Sequence, residues 1–288
     1  MADLDGPVAF RTWDGPPGTT FVLVHGLGGS HVNWVRVTEG LAGLGRVVAL
    51  DLPGFGWSPK TGRDSGVMGL RRTLHRFLDA HVEGPALLCG NSMGGGLALL
   101  EAAIEPHRVE GLVLTGSVFP WVRGARPHPA VIGAFAAYDV SPLGEAFVRT
   151  RMRRIPPERA VRIGFALTTA DPRSIPEDTF ELQVAAVHAR LQDPEAPEAF
   201  VEAARSLLRL GRRPDVSARA VAGVRCPVLV VHGRRDRLVP ARFAEATLAD
   251  RPEWRGRILA GVGHLPMMEA PGRWLAEVAD WQASVRRN

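Results

Sequence analysis

Short apolar runs rich in β-branched residues alternate with helical patterns along much of this chain. The runs lie at residues 20–25, 46–51, 86–91, 112–116, 227–232 and 257–260. Strands separated by helices are typical of βαβ units, which build a largely parallel sheet with helices on its faces. The sequence therefore predicts an α/β protein with an antiparallel edge strand at 8–13. The predicted helices that flank the sheet are 66–81, 94–104, 241–248 and 272–285.

Residues 119–223 interrupt this alternation. They contain helical stretches but no convincing strand pattern, and prolines divide them into pieces. A helical insertion between two strands of one sheet usually covers the carboxyl edge of the strands, where ligands bind. We therefore predict a core formed by residues 1–118 and 224–288, with a helical cap at 119–223.

The segment Gly90-Asn91-Ser92-Met93-Gly94 fits the pattern G-x-S-x-G. An apolar run precedes it and a helical run follows it, which is the strand–turn–helix setting of a nucleophile elbow. The glycines are needed because strand and helix come so close at such a turn that bulky side chains would clash. Ser92 is therefore a candidate nucleophile, although a glycine-rich structural turn would give the same pattern.

A serine hydroxyl is a weak nucleophile at neutral pH, so it needs a general base that removes its proton. The base in turn needs an acidic side chain that orients it. Asp236 and His264 follow the two late strands, so parallel strands would bring both to the same sheet edge as Ser92. The competing interpretation is that Asp236 is a surface aspartate in an arginine-rich loop and that His264 is a histidine in a turn.

Acyl transfer also needs two backbone N–H groups that stabilise the developing oxyanion. Our candidates are the N–H groups of Leu27 and Met93.

Together these motifs resemble those of capped, esterase-like serine hydrolases with the α/β-hydrolase fold. The resemblance rests on the pair His25-Gly26, the segment 51–58, the elbow at Ser92, and the loops of Asp236 and His264. It implies that a Ser-His-Asp triad cleaves a small or medium apolar carboxylic ester through an acyl-enzyme. No metal and no cofactor is implied.

The positions at which this sequence differs from the family's patterns limit the reactions that it is expected to catalyse. Serine at position 92 argues against the dehalogenases and epoxide hydrolases of the family, which use an aspartate nucleophile. The elbow is similar to that of meta-cleavage product hydrolases, which break carbon–carbon bonds, but those enzymes tend to place a tryptophan where Leu265 stands here. Carbon–carbon hydrolysis stays an alternative, as does a catalytically weak ligand-binding homologue. Acyl transfer and perhydrolysis would use the same triad.

Several side chains are candidates for contact with an apolar substrate, although such residues are equally common in a protein core. They are Trp34, Trp121, Phe135, Tyr138 and Leu265.

The charge of the chain gives little support to a nucleic-acid partner. The net charge is +5, and arginines are spread along the whole sequence, with Lys60 as the one lysine. The densest cluster, Arg149, Arg151, Arg153 and Arg154, lacks interleaved aromatic residues and predicts a solvated surface.

No stretch predicts a membrane span or a secretory signal. We expect a cytoplasmic enzyme with a small-molecule substrate, and a homodimer is compatible with the sequence.

Overall fold

The structure, a computed structural model, describes residues 1–119, 127–139 and 143–286, without the side chains of residues 130, 134, 138 and 139. Nine strands lie within the described residues. They are β1 (Ala2–Asp3), β2 (Pro7–Val8), β3 (Phe10–Trp13), β4 (Thr20–Val24), β5 (Arg46–Leu50), β6 (Ala86–Asn91), β7 (Val109–Thr115), β8 (Val228–Gly233) and β9 (Arg255–Leu259).

Twelve α-helices accompany these strands in the described part of the chain. They are α1 (Val35–Ala42), α2 (Val67–His81), α3 (Met93–Ile104), α4 (Pro129–Asp139), α5 (Leu143–Arg154), α6 (Pro157–Thr168), α7 (Glu177–Leu191), α8 (Ala196–Gly211), α9 (Pro214–Gly223), α10 (Ala241–Asp250), α11 (Pro266–Glu269) and α12 (Pro271–Val285). None of the helices in the described ranges combines the length and the apolar character that crossing a bilayer requires.

Seven of the strands form the central sheet, in the order β3-β5-β4-β6-β7-β8-β9. β3 runs antiparallel to β5, and every other pair of neighbours is parallel. The inner strands are buried over nearly their whole length, because helices cover both faces of the sheet. The predicted α/β architecture, a mostly parallel sheet flanked by helices, is confirmed.

Some predicted elements differ from the structure in detail. The predicted edge strand at 8–13 is divided, because Val8 pairs with Ala2 in a small ribbon and β3 alone joins the main sheet. Helices α1 and α11 were not predicted, nor were α5 and α9 within the helical insertion. Valines, a threonine and a glycine lower the helix propensity of α1, which is stabilised instead by burial of Val37 and Leu41 in the core.

Helices α4 to α9 lie between β7 and β8, and we call residues 127–223 the helical segment. Hydrogen bonds join its helix α8 and the turn before it to the loop after β5. The carboxylate of Asp193 accepts from the backbone N–H of Lys60 at 2.8 Å, and that of Glu202 accepts from the N–H of Ser65 at 3.1 Å. The ammonium of Lys60 donates to Glu198 at 3.0 Å. These contacts fix α8 beside the carboxyl edge of the sheet, whereas the predicted cap boundaries stay a prediction.

Trp274 on α12 ties the core to the end of β7. Its indole N–H donates to the hydroxyl of Thr115 at 2.9 Å, and both side chains are fully buried. We expect Trp274→Phe to lower the free energy of unfolding by about 1–3 kcal/mol, because it removes this bond and leaves a buried hydroxyl unpaired. Urea denaturation measures the change. Trp13→Phe on the edge strand is the matched control, and an equal loss in both variants would contradict the prediction.

Candidate active site

Ser92 occupies the sharp turn between β6 and α3. Its backbone has φ 54° and ψ −118°, a strained conformation for a residue with a side chain. The backbone N–H of Ser92 donates to the carbonyl oxygen of Thr115 at 3.1 Å, which anchors the turn to the neighbouring strand. At Gly94 a Cβ atom would lie 2.2 Å from the carbonyl oxygen of Val24, so glycine is required there. The sequence-predicted elbow therefore has the local geometry that the motif requires.

His264 and Asp236 form a buried pair on the loops that follow β9 and β8. The distance from His264 Nδ1 to Asp236 Oδ2 is 2.7 Å, and the two residues are 3% and 7% exposed. Because the carboxylate faces Nδ1, the hydrogen lies on that nitrogen and Nε2 is left as the basic atom. A histidine held in this tautomer is suited to act as a general base.

The carboxylate of Asp236 is held by further donors. Its Oδ1 accepts from the backbone N–H groups of Leu238 and Val239, both at 2.8 Å, and His232 Nε2 lies 3.2 Å from Oδ2. Burial pushes the pKa of Asp236 upward, but the charge of His264 and hydrogen bonds from His232 and His264 outweigh it. The pKa of Asp236 is therefore held well below its usual range, and the side chain stays ionised beside the imidazole.

The loop that carries His264 is fixed to the helical segment. The backbone N–H of His264 donates to the carbonyl oxygen of Thr168 at 2.6 Å. The carboxylate of Glu269 accepts from the N–H groups of Ala170 at 2.7 Å, Gly263 at 3.0 Å and Leu265 at 3.3 Å. Glu269 thus joins the start of α11 to both the histidine loop and the chain after α6. No motif in the sequence indicates this role of Glu269.

The glycine-rich loop after β4 lies directly against Ser92. A Cβ atom at Gly26 would sit 2.9 Å from the Cβ of Ser92. His25 braces this loop, since its Nδ1 donates to the carbonyl oxygen of Gly26 at 2.8 Å and its Nε2 accepts from the N–H of Leu52 at 3.0 Å. His25 is therefore occupied in holding the loop that carries Leu27.

A cavity of about 580 Å³ lies between this sheet edge and the helical segment. Most of its wall is apolar, and Ser92 and His264 both line it. Among the predicted substrate-binding residues, Phe135 and Leu265 also line it. A 580 Å³ cavity is in the range of small-molecule sites.

One predicted substrate-binding residue, Trp34, is not brought to this cavity. The assignment of Trp34 needs correction: its side chain is fully buried in the core against Trp274, with ring centroids 5.9 Å apart. It lies in a short 3₁₀ turn that directs the indole inward, and it is not part of the cavity wall. Trp121 and the side chain of Tyr138 lie outside the described residues.

Sequence reasoning missed three cationic side chains on the cavity wall, Arg151, Arg190 and Arg212. Arg151 belongs to the cluster for which the sequence predicts a solvated surface; it is exposed, yet it also borders the cavity. No pattern in the sequence distinguishes Arg190 from the other arginines of the helical segment.

Comparisons with known proteins agree with this geometry. A family profile described as alpha/beta hydrolase fold matches residues 19–271. A similar solved structure is a thermophilic esterase from Thermogutta terrifontis, determined with malate bound. It has 26% sequence identity and a TM-score of 0.70, and the match covers 96% of this chain and 93% of that one.

Curated relatives carry several activities in their names. The pimeloyl-[acyl-carrier protein] methyl ester esterase of Edwardsiella ictaluri is 30% identical over 90% of this chain and 92% of its own length. The 2-hydroxy-6-oxo-6-(2'-aminophenyl)hexa-2,4-dienoic acid hydrolase of Metapseudomonas resinovorans is 29% identical over 92% and 84%. A dihydrolipoyllysine-residue acetyltransferase component of an acetoin cleaving system, from Pseudomonas putida, is 32% identical over 89% of this chain. The chain spans 61% of that relative's length.

Replacing Glu269 tests the link between the histidine loop and the helical segment. Glu269→Gln puts an amide N–H₂ group where backbone N–H groups point, so at least one buried donor loses its acceptor. We expect the free energy of unfolding to fall by about 1–3 kcal/mol. We also expect the turnover of ester substrates to fall roughly tenfold or more, because His264 is misplaced.

The measurements are urea denaturation and steady-state kinetics. Glu253→Gln, at an exposed position, is the matched control. Wild-type stability and turnover in Glu269→Gln would show that the carboxylate is not needed.

Proposed function

The chain belongs to the α/β hydrolase fold family, and from this premise we propose that it is a serine hydrolase that cleaves small or medium carboxylic esters. The observation that carries the proposal is one cavity that is lined by both Ser92 and His264. His264 is hydrogen-bonded to a buried, ionised Asp236. An orienting acid, a basic imidazole nitrogen and a hydroxyl at a strained turn are the parts that acyl transfer needs.

In the proposed first step, Nε2 of His264 removes the proton of Ser92 as Oγ attacks the ester carbonyl. Asp236 keeps the imidazole in the required tautomer and stabilises its cation. The low pKa of Asp236 supports this role, because the carboxylate keeps its charge while the imidazole gains one. His264 then gives its proton to the leaving alcohol, which leaves an acyl group on Ser92.

The backbone N–H groups of Leu27 and Met93 are the proposed oxyanion donors. Met93 opens α3 directly after the nucleophile, and Leu27 lies on the loop that packs against Ser92. A donor of this kind contributes about 3 kcal/mol to transition-state stabilisation. In the second step His264 activates a water molecule, which attacks the acyl-enzyme and releases the acid and free Ser92.

The largely apolar wall of the cavity supports a substrate with a hydrocarbon body. The name of the Edwardsiella ictaluri relative describes a methyl ester as its substrate, which supports ester cleavage here. The acetyltransferase names belong to proteins of which this chain spans less than two thirds. Acyl transfer to an acceptor other than water would use the same residues, and analysis of the reaction products distinguishes the two.

A second candidate is hydrolysis of a carbon–carbon bond in a ring-fission product. The observation in its favour is the Metapseudomonas resinovorans relative, whose name describes a dienoic acid hydrolase. Leu265 directly after the catalytic histidine, where meta-cleavage product hydrolases tend to have tryptophan, counts against it.

The proposal predicts that purified protein hydrolyses p-nitrophenyl acetate, butyrate or octanoate. Ser92→Ala should reduce kcat/KM by at least about 10³-fold, because it removes the nucleophile and leaves only binding and the oxyanion donors. Release of p-nitrophenol measures the rate, and the dependence on chain length measures the acyl pocket.

Ser284→Ala, on the last helix, is the matched control, and circular dichroism checks the fold of both variants. Equal turnover by wild type and Ser92→Ala would contradict ester hydrolysis by this triad. Turnover of a ring-fission dienoate without ester turnover would favour the second candidate. Saturable binding of a small ligand without turnover would favour a ligand-binding homologue.

A further inference from the structure

The charges on the wall of the cavity have one sign. Arg151, Arg190 and Arg212 line it, and no aspartate or glutamate does so among the residues that the structure describes. A positive cavity with a largely apolar wall attracts anions, because the interaction is screened much less there than at an open surface.

Arg190 on α7 has no acid as its partner within the described residues. Its Nη1 donates to the carbonyl oxygen of Gly28 at 3.1 Å, and its Nε is buried without a hydrogen-bond partner. Within the described residues no carboxylate lies within ion-pair distance of it. Burial, with a smaller contribution from the charge of Arg151, lowers the pKa of Arg190 to about 10, so the side chain stays charged at neutral pH.

Two cations that are buried more deeply than Arg190 are paired with acids. Arg71 lies 2.8 Å from Glu101, and Lys60 lies 3.0 Å from Glu198. An isolated buried charge is costly, and folded proteins normally satisfy it with a counter-ion. The unmatched guanidinium of Arg190 therefore indicates that its counter-ion comes with a ligand.

The position of Arg190 connects it to the proposed chemistry. Gly28 follows Leu27, one of the two proposed oxyanion donors. Gly28 has φ 76°, and a Cβ atom there would lie 3.1 Å from the ring of Phe200 and 3.4 Å from Nη1 of Arg190. A glycine thus lets the guanidinium reach the loop that faces Ser92, with an aromatic ring beside it.

We propose that Arg190 binds a free carboxylate of the substrate, so that the preferred substrate is a half-ester of a dicarboxylic acid. This inference rests on the proposed function, since it names the class of ester that the cavity takes. A guanidinium recognises a carboxylate through two parallel N–H···O bonds, and the apolar wall accommodates the hydrocarbon chain between carboxylate and ester.

The test compares monomethyl with dimethyl esters of succinate, glutarate, adipate and suberate. We expect wild-type kcat/KM to favour the half-ester at least about tenfold at the best chain length. In Arg190→Met this preference should fall at least about tenfold, mainly through a higher KM for the half-ester. Arg173→Met, at an exposed arginine paired with Asp171, is the matched control and should keep the wild-type preference.

Two results would overturn the inference. One is a wild-type enzyme that prefers the neutral diester. The other is an equal loss of kcat for both esters in Arg190→Met, which would limit Arg190 to holding the carbonyl of Gly28. Thermal unfolding of each variant separates these results from a general loss of structure.

A binding experiment separates this inference from the proposed function. Calorimetry with the Ser92→Ala protein compares hexanoate with hexanol. We expect hexanoate to bind and hexanol to bind at least about tenfold more weakly, with the difference lost when Arg190→Met is added. Carboxylate binding through Arg190 without any ester turnover would overturn the hydrolase function and support the anion site. Ester turnover without carboxylate selectivity would overturn the anion site alone.

Discussion

The site depends on the close approach of three backbone segments: β6, the first turn of α3 and the loop after β4. A Cβ atom at Gly94 would lie 2.2 Å from the carbonyl oxygen of Val24, and one at Gly26 would lie 2.9 Å from the Cβ of Ser92. At this close approach Ser92 has a positive φ, and the residue lines the cavity. The parallel sheet then supplies the other groups, because neighbouring strands end at the same edge.

The parts of the site that could be predicted are those that follow from strand order and local turn chemistry. Ser92, Asp236 and His264 each come shortly after a strand, and parallel pairing brings such positions to one edge. The pairing of Asp236 with His264 therefore needs only the topology and the residue types. The place of Leu265 in the cavity wall could be predicted because Leu265 directly follows His264 in the sequence.

The parts that could not be predicted depend on contacts between distant segments. Whether an aromatic side chain faces the cavity depends on the rotation of its helix or turn, and the inward-facing 3₁₀ turn of Trp34 illustrates this. The carboxylate of Glu269 accepts a hydrogen bond from the backbone N–H of Ala170, and these two residues are 99 positions apart in the sequence. Arg190 looks like any other helical arginine until the fold sets it against Gly28. Whether the charge of Arg190 has a counter-ion depends on all the side chains that the fold brings near it, and the sequence composition does not specify these.

The hydrogen bond from His264 to Thr168 has a mechanical consequence. The carbonyl that holds the histidine belongs to the last turn of α6, and Glu269 clamps Ala170 just beyond it. A displacement of α6 away from the sheet therefore carries the proposed base with it or breaks these bonds. If these bonds hold, a substrate that passed through a gap opened by α6 would meet a displaced imidazole, so the protein would be inactive while that side is open. A substrate that enters without loss of activity therefore needs a path along another part of the helical segment. The position of α6 and the position of the His264 imidazole are coupled.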